Sequence, residues 1–252
     1  MTNLQMRTAR THGSLLSGWL QRGLDLLFPP RCVACSKVGN WLCATCQSSI
    51  ELVSPPICSL CGRPLPQSAQ ADHGVTEGLC ARCRMEPIKL DGIRSVAVHD
   101  GALRQAIHHL KYHHRHELAV TLGQILFGYW KKVDLAAELV VPVPLHASRQ
   151  KERGYNQAAL LARVLTERAS LAFNEQHLIR TRATPPQVGL GARERKTNVQ
   201  DAFAWAGPRL DSIGVLLVDD VCTTGATLEA CALALRQAGA ESVWALTLAR
   251  AR

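Results

Sequence analysis

Residues 213–227 read Ile213-Gly214-Val215-Leu216-Leu217-Val218-Asp219-Asp220-Val221-Cys222-Thr223-Thr224-Gly225-Ala226-Thr227. The unbroken apolar run over 213–218 predicts a strand covered on both faces, as in a parallel sheet. Two acids end the run, and a tight loop of small hydroxyl residues opens a helix expected over 226–238. That helix buries Leu228, Cys231, Ala232 and Leu235 and stops at Gly239. Ligands of open α/β sheets enter the crevice at the carboxyl ends of the strands. There the backbone N–H groups of residues 223–227, the threonine hydroxyls and the helix dipole would cradle a monophosphate. Gly225 would let the backbone approach closely. Asp219 and Asp220 are placed to hold hydroxyls or a hydrated Mg²⁺. No GxxxxGK[ST] occurs in the chain, which excludes a nucleoside-triphosphate P-loop.

Working outward, strands are expected over 93–98, 139–143 and 242–248, with Pro142 marking a strand end. Helices are expected over 102–111, 117–132 and 155–169, the last with Ala158, Leu161, Ala162 and Leu165 on one face. The alternation predicts an α/β domain with a mainly parallel sheet. Residues 182–200 are polar, Arg-rich and aperiodic, and are expected to form a long mobile loop.

Upstream of residues 84–91 the chain changes character. Eight of its ten cysteines form four CxxC pairs: Cys32/Cys35, Cys43/Cys46, Cys58/Cys61 and Cys80/Cys83. A CxxC turn offers two thiolates to one ion, and two turns close a tetrahedral four-sulfur site with no open position. Two structural Zn²⁺ ions are therefore expected, with the pairs joined either sequentially or interleaved. Before the cysteines, Leu15, Leu16, Trp19, Leu20, Leu24, Leu27 and Phe28 recur at helical spacing up to Pro29-Pro30. The expected organisation is an N-terminal amphipathic helix over 1–31, a double zinc ribbon over 32–90 and the α/β domain over 91–252.

The chain has 252 residues, 47% of them hydrophobic, and a formal net charge of +9. It has no run of 18 uncharged apolar residues and no secretory-signal pattern, so a cytoplasmic protein without a membrane span is expected. The positive charge suggests an anionic partner. Residues 32–83 carry three basic and three acidic side chains, so the surplus lies elsewhere, notably at Arg149, Lys151, Arg153, Arg180 and Arg182. Filling both zinc sites would lower the formal charge to +5. His108, His109, His113, His114 and His116 read as a solvated helix end, Cys222 and Cys231 as packed side chains, and Trp41, Trp205 and Trp244 as core residues.

The segment Val218-Asp219-Asp220 followed by Thr223-Thr224-Gly225-Ala226-Thr227 resembles the PRPP-binding loop of type I phosphoribosyltransferases. Val141-Pro142-Val143-Pro144-Leu145-His146-Ala147-Ser148-Arg149, with Arg153-Gly154-Tyr155-Asn156-Gln157, is similar to the corresponding stretch of the ComF family. That family joins a cysteine-rich module to a phosphoribosyltransferase-like domain. The resemblance implies that Asp219 and Asp220 contact the ribose hydroxyls of PRPP, and residues 223–227 its 5-phosphate. Leu145, His146 and Arg149 would approach the pyrophosphate with Arg153, and Lys111 falls where the family places a basic motif. Arg193, Arg195 and Lys196 would close over the leaving pyrophosphate, with Mg²⁺ accompanying PRPP. The implied activity is phosphoribosyl transfer to an unidentified acceptor. The alternative is a non-catalytic PRPP- or nucleotide-binding protein of DNA uptake that binds single-stranded DNA or a helicase.

Overall fold

The structure is a computed structural model that describes residues 29–66, 78–182, 199 and 201–251. The expected N-terminal helix before Pro29 and most of the 182–200 segment, with Arg193, Arg195 and Lys196, lie outside the described residues.

Two short helices, α1 (Ala44–Ser48) and α2 (Ala81–Met85), belong to the cysteine-rich part, and each starts at a metal-ligand pair with Cys43 or Cys80 as its N-cap. Then follow β1 (Gly92–Val98), α3 (Gly101–Tyr112), α4 (Leu118–Trp130) and β2 (Leu139–Pro142). The chain continues through α5 (Ala147–Arg153), α6 (Gln157–Ala169), β3 (Ala172–Phe173), β4 (Leu178–Arg180) and β5 (Phe203–Trp205). It ends with β6 (Gly214–Cys222), α7 (Ala226–Gln237) and β7 (Ser242–Arg250).

Five strands form one parallel sheet in the order β1-β7-β6-β2-β3, with β6 in the middle; β4 and β5 make a separate antiparallel pair. The α/β architecture expected from the sequence is therefore observed. From β2 the chain runs outward to β3, and from β6 outward in the opposite direction to β7. The crevice between the carboxyl ends of β2 and β6 is thus the topological switch point, where such sheets open to ligands.

Period-two alternation divides β6 between two cores. Val215 and Leu217 pack with Leu228, Cys231 and Leu235 of α7. Leu216 and Val218 pack with Leu103 and Leu110 of α3, Leu122 of α4 and Leu161 of α6. The cysteine clusters divide in the same way: Cys58, Cys61, Cys80 and Cys83 join the first core, whereas Cys32 and Cys43 join the second.

The chain between the clusters covers the free edge of β1, where the N–H of Val53 donates to Val96 and that of Val98 to Glu51 (3.0 and 2.8 Å). The Cys58–Cys61 turn is pressed against the same strand. The N–H of Ile93 donates to the Leu60 carbonyl at 2.7 Å, and a Cβ on Gly62 (φ +69°) would collide with the Ile93 carbonyl oxygen.

Three local details depart from the expected pattern. Residues 147–153, outside the helices expected from the sequence, form the short helix α5, capped by His146 and closed by Gly154 in the left-handed region (φ 81°). Helix α6 starts at Gln157 rather than 155, with Asn156 capping Ala158. Strand β6 continues through the two acids to Cys222.

Gly62→Ala should lower stability by about 2–3 kcal/mol, because neither φ nor the Ile93 backbone can accommodate a methyl group. Urea denaturation would measure it, and a loss below about 0.5 kcal/mol would mean that the turn is not pressed against β1.

Candidate functional site

Each cysteine set brings its four sulfurs within 4.8 Å of one another: Cys32, Cys35, Cys43 and Cys46 in one, Cys58, Cys61, Cys80 and Cys83 in the other. The pairing is sequential. A zinc–thiolate tetrahedron with bonds of about 2.3 Å has edges of roughly 3.8 Å. The Cys35–Cys43 and Cys61–Cys80 sulfur separations are 3.6 and 3.7 Å. Burial opposes ionisation of Cys32, but the backbone N–H groups of Cys43, Ala34 and Cys35 hold its thiol down at about 6. The same balance, with N–H groups of Cys80, Cys61 and Leu60, holds Cys58 at about 7. Both sets fit structural Zn²⁺ with no position left for a substrate.

At the switch point lies a cleft of about 520 Å³. Of the residues singled out in the sequence, Lys111, Leu145, Arg149, Arg153, Asp219, Asp220, Thr223 and Thr227 line it. Arg180 of β4, Gln157 at the start of α6, and Tyr112, His114, Pro144 and Glu152 also line it. Lysine and arginine thus face three acids (Glu152, Asp219 and Asp220) across one space.

The two adjacent acids have different surroundings, because alternation along β6 sends them to opposite faces of the sheet. Asp220 follows Leu216 and Val218 to the α3/α6 side. There its carboxylate pairs with the Lys111 ammonium of α3 and accepts from the Gln157 amide at 3.4 Å. Gln157 in turn accepts from the Arg153 guanidinium. Burial would raise the Asp220 carboxyl, but the Lys111 charge and hydrogen bond hold it below the usual carboxylate range. Burial likewise works against the Lys111 ammonium, and Asp220 keeps it charged.

Asp219 accepts the N–H of Asp220 with one oxygen (2.8 Å) and lines the cleft. Burial first, and the neighbouring Asp220 charge second, push its carboxyl well above the usual range, with Lys111 opposing. A carboxylate in that position gains from a cation or a pair of hydroxyls placed against it.

In the loop after β6, the Thr224 hydroxyl accepts the N–H of Ala226 at 3.3 Å, and Gly225 caps α7 with φ +84°. Thr224, Gly225 and Ala226 therefore build the turn, whereas Thr223 and Thr227 face the cleft. His146 does not line the cleft; its ring Nδ1 caps α5 against Ser148, 2.8 Å from the hydroxyl. Across the crevice the Asn156 amide donates to the Val143 carbonyl at 3.0 Å, and the Tyr155 hydroxyl to that of Leu110. These bonds fix the segment after β2 against α3 and α6.

Among the residues that sequence reasoning did not assign, Gln157 was quoted only as part of a motif, and Arg82 carried no signal. The Arg82 guanidinium donates to the Thr224 carbonyl at 2.7 Å. Cys222 is buried with the Arg250 guanidinium 3.4 Å from its sulfur, and Cys231 is fully buried, as expected of packed thiols.

Residues 23–84 match the family model of the double zinc ribbon domain. The chain is 33% identical to DNA utilization protein YhgH of Salmonella typhi, over 83% of this chain and 96% of that one. It is 31% identical to competence protein F of Haemophilus influenzae, over 88% and 97%. The chain belongs to the ComF family. A more distant ComF-family relative, competence protein ComFC of Bacillus subtilis, is 28% identical over 83% and 84%. No helix among the described residues is long and apolar enough to cross a membrane.

The environments of the two acids give opposite expectations. Asp220→Asn strands the Lys111 charge and should cost about 2–3 kcal/mol at neutral pH. Because the wild-type Asp220 pKa is depressed, its stabilisation exists above the ordinary carboxylate pKa and is lost as pH falls through the folded value. The gap between variant and wild type should therefore close in acid. Asp219→Asn should instead raise stability at neutral pH, since the raised pKa marks an ionised form that the fold disfavours. Denaturant titrations at several pH values would measure both, and equal effects of the two variants would contradict the assignment. Metal analysis of the purified chain should find two equivalents of zinc, and one would mean that only one set forms a site.

Proposed function

We propose that the cleft of this ComF-family protein binds PRPP with Mg²⁺ and transfers its phosphoribosyl group to an acceptor base in the cytoplasm. The observation that carries this reading is the pairing of an acid held by Lys111 and Gln157 with a second acid facing the cleft, directly before a phosphate-sized loop. Asp219 receives the ribose hydroxyls, while Asp220 orients Lys111 and the backbone beside them. The N–H groups of residues 223–227 with the Thr223 and Thr227 hydroxyls take the 5-phosphate. Leu145, Arg149 and Arg153 form the pyrophosphate side, with Arg180 and the Arg193, Arg195 and Lys196 group contributing positive charge.

In the transfer, the bond from the anomeric carbon to the pyrophosphate oxygen breaks and its electron pair leaves with pyrophosphate. A nitrogen lone pair of the acceptor forms the new bond, and the acceptor loses its proton. Positive charge grows on the ribose ring in the transition state, so fixed charges and exclusion of water provide most of the acceleration. Asp219, facing the cleft, would help to hold a hydrated Mg²⁺ brought with the substrate, which would supply positive charge to the pyrophosphate leaving group.

Calorimetry with PRPP and Mg²⁺ should give saturable one-to-one binding, weakened at least about tenfold by Asp219→Asn, a loss of about 1.4 kcal/mol. Pyrophosphate release across a panel of nucleobases would then identify the acceptor. Saturable binding without release for any base would reject the transfer and retain the binding site.

A second reading rests on the relatives, whose names refer to DNA utilization and competence. In it the site senses PRPP or a nucleotide, and the protein serves DNA uptake by binding single-stranded DNA or a helicase. Direct DNA binding through basic residues should weaken by orders of magnitude between about 50 and 200 mM salt. Absent or salt-insensitive binding would exclude it.

A further inference from the structure

We infer that the second zinc ribbon sets the conformation of the loop after β6, with Arg82 as the positioning residue. Arg82 stands between two ligands, Cys80 and Cys83, on α2. It is 142 residues from Thr224 in sequence, yet its guanidinium donates to the Thr224 carbonyl at 2.7 Å. Thr224 precedes the Gly225 cap, so this carbonyl stands outside the hydrogen-bond ladder of α7.

The orientation of that one peptide decides what the loop can bind. In a planar trans peptide, the Thr224 carbonyl and the Gly225 N–H point in opposite directions. Anchoring the oxygen on the ribbon side turns the Gly225 N–H away from the ribbon. A flipped peptide would present an oxygen dipole where an anion is to sit. Gly225, at φ +84°, has the freedom to permit such a flip, so the loop's own sequence does not prevent it.

A second physical route from the same ribbon reaches the same glycine. Leu60, inside the Cys58–Cys61 turn, accepts the Ile93 N–H at 2.7 Å. The Ile93 Cδ1 lies 3.1 Å from where a Cβ on Gly225 would stand. The Arg94 guanidinium of β1 also donates to the Ser59 carbonyl at 2.9 Å. Zinc at the second set fixes both the Cys58–Cys61 turn and the Cys80–Cys83 helix, and hence both contacts with the loop. The first set packs in the core on the other sheet face, with Cys32 and Cys43 beside Leu103 and Leu110.

This inference rests on the phosphate-binding role proposed for residues 223–227, and its test separates the two. Amide hydrogen exchange of residues 223–227 in the ligand-free protein reads the loop directly. PRPP–Mg²⁺ calorimetry reads its consequence. With both zincs retained, Arg82→Met should speed exchange in the loop and weaken PRPP about tenfold, a hydrogen bond's worth to a charged donor. Arg82→Lys, which keeps a cationic donor, should recover part of both effects.

Cys83→Ser should reproduce Arg82→Met in the loop, whereas Cys46→Ser in the first set should leave loop exchange unchanged. If Cys83→Ser does not fold, the Arg82 pair decides alone. Unchanged exchange in Arg82→Met overturns the inference, as does an equal response to Cys46→Ser. If the wild type takes up no PRPP, the phosphoribosyl reading falls, and the exchange data alone decide whether the ribbon holds the loop.

Discussion

The contact between Lys111 and Asp220 is the constraint around which the cleft is organised. It joins α3 to the central strand at the carboxyl edge of the sheet, and Gln157 ties α6 to the same carboxylate. A charge buried at the end of a strand is costly unless paired. Here the pair keeps Asp220 ionised and Lys111 charged, which leaves the other acid, Asp219, to answer to whatever enters the cleft. The strand can therefore remain regular through both acids to Cys222 instead of ending before them. Leu145, Arg149, Arg153, Arg180, Thr223 and Thr227 line the same cleft as this pair.

The two ribbons extend the same economy of design to the whole domain. Each four-cysteine set contributes sulfurs to one of the two cores flanking the sheet, and the chain between the sets covers the exposed edge of β1. The ribbons thus cap a sheet whose edge would otherwise be free to pair with another chain. The second set also reaches the loop after β6 through Arg82. A structural metal site and the loop after β6 are in this way parts of one packed unit.

Much of this was legible in the sequence because the relevant signals were local. The apolar run before Asp219, the small-residue loop and the periodic face of residues 226–238 together specify a strand, a turn and a helix. The CxxC pairs specify the ligands. Helix α5 was not legible, since residues 147–153 have no apolar face and none is buried; its ends are set by His146 and Gly154 instead. The β4–β5 pair spans only three residues a strand, too few for a period to show. Nor could spacing reveal that the adjacent acids take different partners, since only the fold brings Lys111 and Gln157 to one of them. The Arg82–Thr224 bond is invisible for the same reason, being a contact between distant segments.

The most direct test of the account is a crystal structure of the chain with PRPP and Mg²⁺. The account predicts the 5-phosphate against the N–H groups of residues 223–227, the ribose hydroxyls at Asp219, and an intact Lys111–Asp220 pair beside them. PRPP seated elsewhere, or a cleft in which Asp219 leaves the ribose untouched, would contradict it.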